Sequence, residues 1–313
     1  MTSEHLKLEM IPIKNSNLSN FSIEHSESVI GYFQRKKSKS LIIIDQWIKK
    51  IWGSTYSFEK ILRMDQNDLS KIITHYNSTD HKIPEEIKKI KKVYKNFSVV
   101  NSSPFKQKNG QPYNAYILID KIGINVCPYC NRNYIYNIPA SKNRTSQLDH
   151  FYNKDKYPFL SLAFYNLIPC CPSCNHLKSN SIENFHSPYD YSKKENELFQ
   201  FSVKILGSEY LDKTEHLSLE LKSIKDFKSN INIFKLKQLY SKHLDLVQEL
   251  LIKKHIYSEG YIKQLFNEYG GKIFKNSDDL LLFILSNYIL EEDLHKRPFS
   301  KLTKDIWNQI LTA

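Results

Sequence analysis

Cys127-Pro128-Tyr129-Cys130 and Cys171-Pro172-Ser173-Cys174 are the two short stretches on which the reading of this chain turns. Two CxxC pairs brought together offer four thiolates at tetrahedral spacing, the ligand set of a closed structural zinc site. Four buried thiols without metal are the plainer reading. Two CxxC pairs in one short region favour the metal. Such a site leaves no open position for water and replaces hydrophobic core in a small module, stabilising it on folding. Cys170 substitutes for Cys171 only by distorting the CxxC spacing, so it is expected as a core neighbour.

Between and just beyond the knuckles lie Asp149-His150, Asn166 and Asn175. On a straight strand adjacent residues point to opposite faces. A bend at Asp149-His150 would turn the carboxylate toward a divalent cation and the imidazole toward a water. His150 is then the general base, since a neutral imidazole can take the water's proton. Asn166 is expected to bond the other ring nitrogen or a nearby backbone group, and Asn175 to offer a carbonyl oxygen to the metal. A hard cation on oxygen ligands polarises a scissile phosphate and stabilises the leaving oxygen. The bland reading makes Asp149 a turn cap and His150 a satisfied polar residue. Their placement between two zinc knuckles argues against it.

His176 and Lys178 are weaker candidates for contact with substrate phosphate, as are Lys154 and Lys156. His186 is expected to stay away from the metal. Nine aromatic residues crowd the segment: Tyr129, Tyr134, Tyr136, Phe151, Tyr152, Tyr157, Phe159, Phe164 and Tyr165. Packing around a small zinc core is their expected use, and stacking on unpaired bases is the alternative.

Working outward, three regions are expected: a helical region over 1–112, a central module over 113–195 and a helical region over 196–313. Leu41, Ile44, Trp47, Ile48 and Ile51 recur at helical spacing, and a lysine-rich helix is expected from Ile83 to Phe97 behind Pro84. A solvated face is the commoner use of such lysines. Residues 101–104 and 139–144 read as turns, and Tyr116 to Ile124 as helix or strand. Asn133 to Ile138 is expected to be a strand paired with Ser146 to Phe151, before a helix near Cys171. Strand, strand, helix is the order of a ββα-metal module. Leu236, Leu239, Tyr240, Leu244, Val247 and Leu250 form one helical stripe, read as core with partner docking as the alternative. Further helices are expected near 278–291 and after Pro298. The fold class is α+β, predominantly helical, around a zinc-stabilised ββα centre.

Composition bounds the function. The chain has 313 residues, 45 Lys and Arg against 33 Asp and Glu, and a formal net charge of +12. That excess suits polyanionic partners, although an AT-rich coding sequence raises Lys, Asn, Ile and Tyr together. With 8 glycines there is no Walker loop and no dinucleotide fingerprint. All five cysteines lie between Cys127 and Cys174, which argues for metal in a reducing cytoplasm rather than a disulfide scaffold. No signal peptide or long apolar run is visible, so a cytoplasmic protein is expected.

CPYCNRNYI (127–135), LDHFYNKDKYPFLSLAFYNLIPCCPSCNHLK (148–178) and HSPYD (186–190) resemble the HNH nucleases of retron and Septu anti-phage systems, the PtuB-like subunits. IFKLKQLYSKHLDLVQELLIKK and the late RPFSKLTKDI are also similar, so the resemblance covers about residues 115–310. It implies structural zinc on Cys127, Cys130, Cys171 and Cys174. It further implies a catalytic Mg²⁺ or Mn²⁺ on Asp149 and Asn175, His150 as base and Asn166 as positioner. Asn153 stands where the family often has proline, loosening the loop. Asn175 stands where others carry histidine, and its harder oxygen favours Mg²⁺ or Mn²⁺ over zinc. The implied partners are nucleic acid, an ABC-type or SMC-like (PtuA-like) ATPase and, in retrons, a reverse transcriptase with its DNA–RNA product. The expected activity is phosphodiester hydrolysis, with DNA favoured and tRNA or other RNA open. A non-catalytic zinc module that binds nucleic acid, or a regulatory subunit of the ATPase, is the alternative.

Overall fold

The computed structural model describes residues 13, 15–36, 39–99, 103–139, 143–179, 181, 185–190, 199–223 and 227–312. Expectations placed on residues 1–5, 101–102, 140–142 and 191–195 lie outside the described residues. The fold is α+β: helices predominate, and among the described residues the strands form four small two-stranded antiparallel sheets.

Among the described residues the first elements are five helices: α1 (Leu18–Arg35), α2 (Ser40–Trp52), α3 (Phe58–Arg63), α4 (Gln66–Asn77) and α5 (Glu85–Ser98). Helix α2 buries Ile44, Trp47, Ile48 and Ile51, the spacing that a helix lays on one face. Pro84 sits at the N-terminus of α5, whose first-turn Glu85 and Glu86 complement the helix dipole. They also pair with Lys88 and Lys89, so this stretch of the lysine run is a solvated face. The strands β1 (Phe105–Lys106) and β2 (Pro112–Tyr113) make a short hairpin leading into α6 (Ala115–Ile122). Asn114 caps α6 by accepting from Ile117 N at 3.1 Å, and Gly123 ends it at φ +74°, a conformation glycine adopts without a Cβ penalty.

The helical region cradles the loop at residues 151–166. Phe159 is fully buried, its ring centroid 5.6 Å from that of Trp47, 5.3 Å from Trp52 and 5.2 Å from Tyr76. Burying one such ring contributes about 1.5–3 kcal/mol. The same loop buries Leu160, Leu162 and Phe164, which fixes it against the helices.

The strand pairing differs from expectation. The strand β5 (Gln147–His150) pairs with β6 (Leu167–Cys170), not with 133–138, in the register Asp149↔Ile168 and His150↔Leu167. In 133–138 only β3 (Asn137–Ile138) is strand, paired with β4 (Asn143–Arg144). The reason lies in the buried loop: its packing brings β6 back beside β5 despite the long separation. Helix α7 (Pro172–Lys178) follows at once, so β5, β6 and α7 form a hairpin with a helix behind it.

The C-terminal region is not purely helical. The strands β7 (Phe199–Ile205) and β8 (Leu217–Ser223) form its longest sheet. After α8 (Lys228–Ile233) and Lys235 at φ +51°, the expected apolar stripe is broken over 241–243 into α9 (Leu236–Tyr240) and α10 (Leu244–Ile256). Leu236, Tyr240, Val247 and Leu250 are buried, so these positions are core. Then come α11 (Glu259–Tyr269), α12 (Ser277–Leu285) and α13 (Ser300–Thr312). A buried Lys301–Asp305 pair at 2.6 Å lies on α13, and Asp305 accepts from Phe201 N at 2.9 Å, tying the helix to β7. Among the described residues no helix is long and apolar enough to cross a membrane.

Candidate metal centre and active site

The first knuckle turns at Asn131. Its φ of +47° lies in the left-handed region that asparagine tolerates, and its N–H donates to Cys127 O at 2.8 Å. Its amide anchors the turn elsewhere, donating to Leu294 O at 3.0 Å and accepting from Lys301 N at 3.0 Å. The second knuckle is the N-terminus of α7, where Cys171 Sγ accepts from Cys174 N at 3.5 Å.

The four Sγ atoms of Cys127, Cys130, Cys171 and Cys174 lie within 4.8 Å of one another and are buried. A tetrahedral zinc with Zn–S bonds of about 2.3 Å sets its sulfurs about 3.8 Å apart. Cys130 and Cys171 are already 4.0 Å apart. Burial pushes the Cys127 thiol well up. Hydrogen bonds from Cys127, Cys130 and Cys174 hold Cys171 far down, with help from Asn133 Nδ2 at 3.3 Å. A soft, closed S₄ set fits zinc, which binds cysteines as thiolates. These four cysteines can therefore hold a zinc ion. Cys170 is buried outside the group, as expected, and burial raises its thiol.

Tyr129, between two of the ligands, links the cluster to the next set of residues. Its hydroxyl donates to Asp149 Oδ2 at 2.7 Å. Burial and then the Asp149 charge keep that hydroxyl protonated. On the other side, Lys178 Nζ donates to Asp149 Oδ1 at 2.9 Å and to His150 O at 2.6 Å. Lys178 was expected beside the substrate; it is instead 2% exposed, with its ammonium 5.4 Å from the Phe185 ring centroid. Asp149, 4% exposed, thus has both oxygens engaged.

His150 is also buried. Its Nε2 lies 3.0 Å from Ser161 O, and the ring meets Tyr94 edge-on at 4.4 Å. A carbonyl only accepts, so Nε2 carries the proton and Nδ1 the lone pair. Nδ1 has no hydrogen-bond partner among the described residues. Burial, and then the Lys154 charge, bring the imidazole down to about 3, so it is neutral at physiological pH.

Asn166 acts on the loop rather than on the ring. Fully buried, it accepts from Tyr152 N at 2.6 Å and donates to Leu160 O at 2.9 Å. Three consecutive carbonyls are therefore gripped in turn: Leu160 by Asn166, Ser161 by His150, and Leu162 by His25 at 2.7 Å. Asn166 positions His150 through the carbonyl next to the one His150 holds.

A cleft of about 280 Å³ is bordered by Asp149, His150, Asn153, Lys154, Asn175 and His176, among others. Asn175 donates to Gln147 Oε1 at 2.5 Å, which leaves its amide oxygen for another partner. His176 is exposed at the rim. Lys156 lies over the Tyr157 ring. His186 is turned away, its Nδ1 3.9 Å from Asp190 Oδ2, and it is not in the cleft wall. Asp149, His150 and Asn175 therefore meet at one cavity, whereas Asn166 and Lys178 support it from behind. Tyr129 is expected from the sequence to pack on the zinc core and also bonds Asp149, whereas Ser161 and His25 are supporting residues that the sequence does not point to. Their residue types and spacing carry no signal that marks them out.

Compared with known protein families, curated proteins and solved structures, the chain matches none.

Proposed function

We propose that this chain is an HNH-type, metal-dependent endonuclease that hydrolyses phosphodiester bonds. The observation that carries the reading is that Asp149, a neutral His150 whose Nε2 is held by Ser161 O, and Asn175 border one cleft beside a four-cysteine cluster. The β5–β6 pair followed by α7 supports this reading, since a ββα-metal module has two strands and then a helix.

The oxygens of Asp149 and Asn175 would hold a Mg²⁺ or Mn²⁺ ion. Each Asp149 oxygen keeps a further lone pair beyond its present bond, and Mg²⁺ accepts few protein ligands while retaining water. Bound there, the cation would supply Lewis-acid polarisation of the phosphate and neutralise charge on the leaving oxygen. His150 Nδ1 takes the proton of the attacking water. Nε2–H, held on Ser161 O, keeps the ring aimed and stabilises the imidazolium as it forms. Tyr129 and Lys178 hold Asp149 from both sides, and Lys154 and His176 offer positive or donor groups to the phosphates. The working context is an anti-phage system in the cytoplasm with a PtuA-like ATPase partner, and DNA is the favoured substrate.

One observation favours a second reading, a zinc module that binds nucleic acid without cutting it: Lys178 already occupies Asp149 as an internal cation. Cleavage of labelled duplex DNA, single-stranded DNA and total tRNA separates the two readings. It is run with Mg²⁺ or Mn²⁺ on zinc-loaded protein, with and without its ATPase. Cutting that needs the cation and disappears in His150→Ala is the expected outcome. Binding without cutting in every condition would sink the nuclease reading.

A further inference from the structure

We infer that Tyr134 and Tyr136 form a stacking platform for unpaired nucleotides beside the cleft, which makes single-stranded nucleic acid the substrate class. The inference rests on the nuclease reading above. The aromatic residues of the central segment divide sharply. Tyr129, Tyr157, Phe159 and Phe164 are buried, and Phe151, Tyr152 and Tyr165 pack half-buried on the core. Tyr134 and Tyr136 remain 44% and 41% exposed and do not pack on that core. Their rings stack on one another, 4.8 Å apart at 22°.

Residues two apart on an extended segment share a face, and this segment is pinned at both tyrosines. Tyr134 bridges Val126, and Tyr136 N donates to Thr145 Oγ1 at 2.7 Å while its carbonyl accepts from Thr145 N at 2.8 Å. Two large rings are thus held in water at fixed spacing. A base stacks on such a ring whatever its identity, but only an unpaired base offers its face. The platform leads toward the cleft. From Thr145 the chain reaches Gln147 within two residues, about 7 Å of strand. Gln147 accepts from Asn175, which borders the cleft. Thr145 and Gln147 are both exposed, so this path lies on the surface. The occupant is a polyanion because the chain carries +12 and Lys154 and His176 stand at the same cleft.

The test measures binding of labelled oligo(dT), oligo(U) and duplex DNA to the full, zinc-loaded chain without added Mg²⁺, and then cutting with it. Proteins compared are the wild type, Tyr134→Ala/Tyr136→Ala and Tyr134→Phe/Tyr136→Phe. The double alanine variant should bind single strands about tenfold or more weaker, since both stacking faces are lost. Its salt dependence should not change, because no phosphate contact is removed. The phenylalanine variant, which keeps both rings, should bind like wild type, and duplex binding should not respond to either change. Unaltered single-strand binding by the alanine variant overturns the platform, as does an equal loss on duplex. Metal-dependent duplex cutting by that variant at the wild-type rate, with single-strand binding also unaltered, overturns the platform and leaves the nuclease standing. Tyrosine-dependent single-strand binding with no cutting supports the platform and removes the nuclease. No binding to any of the three overturns both.

Discussion

His25 and His150 are both buried, and their Nε2 atoms hold adjacent carbonyls of the same loop, yet their other nitrogens face different worlds. His25 Nδ1 meets the Tyr113 hydroxyl at 3.1 Å, and the ring is walled by Phe97, Tyr113 and Phe164. His150 borders the cleft and has Asp149, Lys178 and Lys154 as charged neighbours. One histidine is a brace; the other is a brace that also borders the cleft, where we propose it acts as base. Burial and a carbonyl bond are common to both rings; the cleft beside His150 is what sets them apart.

The largest effect should come from breaking the charged surroundings of the working histidine. Lys178→Met leaves Asp149 buried without a counter-charge and should destabilise the protein by about 3–5 kcal/mol. Adding Asp149→Leu should recover much of that loss, which urea denaturation of both variants will show. If the single variant is as stable as wild type, the ion pair does not hold the site.

Acid should weaken both histidine sites, over windows of different width. An unfolded imidazole titrates near 6.5, whereas burial holds His25 down to about 4 and His150 to about 3. As pH falls from 6.5, the unfolded chain takes up protons that the folded one refuses. The stability each site contributes is therefore complete above that value and is lost on the way down to the folded one. For His25 the loss is on the order of 3 kcal/mol. A plot of unfolding midpoint against pH should be shallower for His25→Phe than for wild type; parallel curves would contradict the assignment.

The smallest effect compares the two rings directly. Phenylalanine at either position leaves a buried carbonyl unpaired and should cost about 2 kcal/mol. Cutting per folded molecule should survive His25→Phe and vanish in His150→Phe. Equal activity in the two would erase the distinction between brace and base.

The four cysteines were legible because thiolate spacing is a covalent matter, and the grouping in space follows it. Helices α2, α5 and α13 were legible in outline from apolar period and end signals, whereas α6 was left open between helix and strand. Which strand pairs with β5 was not, because the partner is chosen by how a buried loop packs on distant helices rather than by local pattern. The hairpin β7–β8 had a readable signal: Phe199, Phe201, Val203 and Ile205 alternate at every second position. The break in the stripe from Leu236 to Leu250 had none, since the chain leaves the helix over 241–243 without glycine or proline to announce it. In the site itself, Asp149, His150 and Asn175 could be picked from their places around the knuckles. That Lys178 is buried against Asp149 depends on the depth of α7 behind the hairpin, which residue spacing does not encode.

The grip on the Leu160, Ser161 and Leu162 carbonyls comes from three separate stretches of chain: Asn166 ahead of β6, His150 on β5 and His25 on α1. A fragment beginning at residue 113 would lose the third of these and the helices that cover Phe159. The central segment is therefore not a portable cassette. An engineer who grafts it onto another scaffold must carry α1, α2 and α4 along, or supply substitutes that close the same joint.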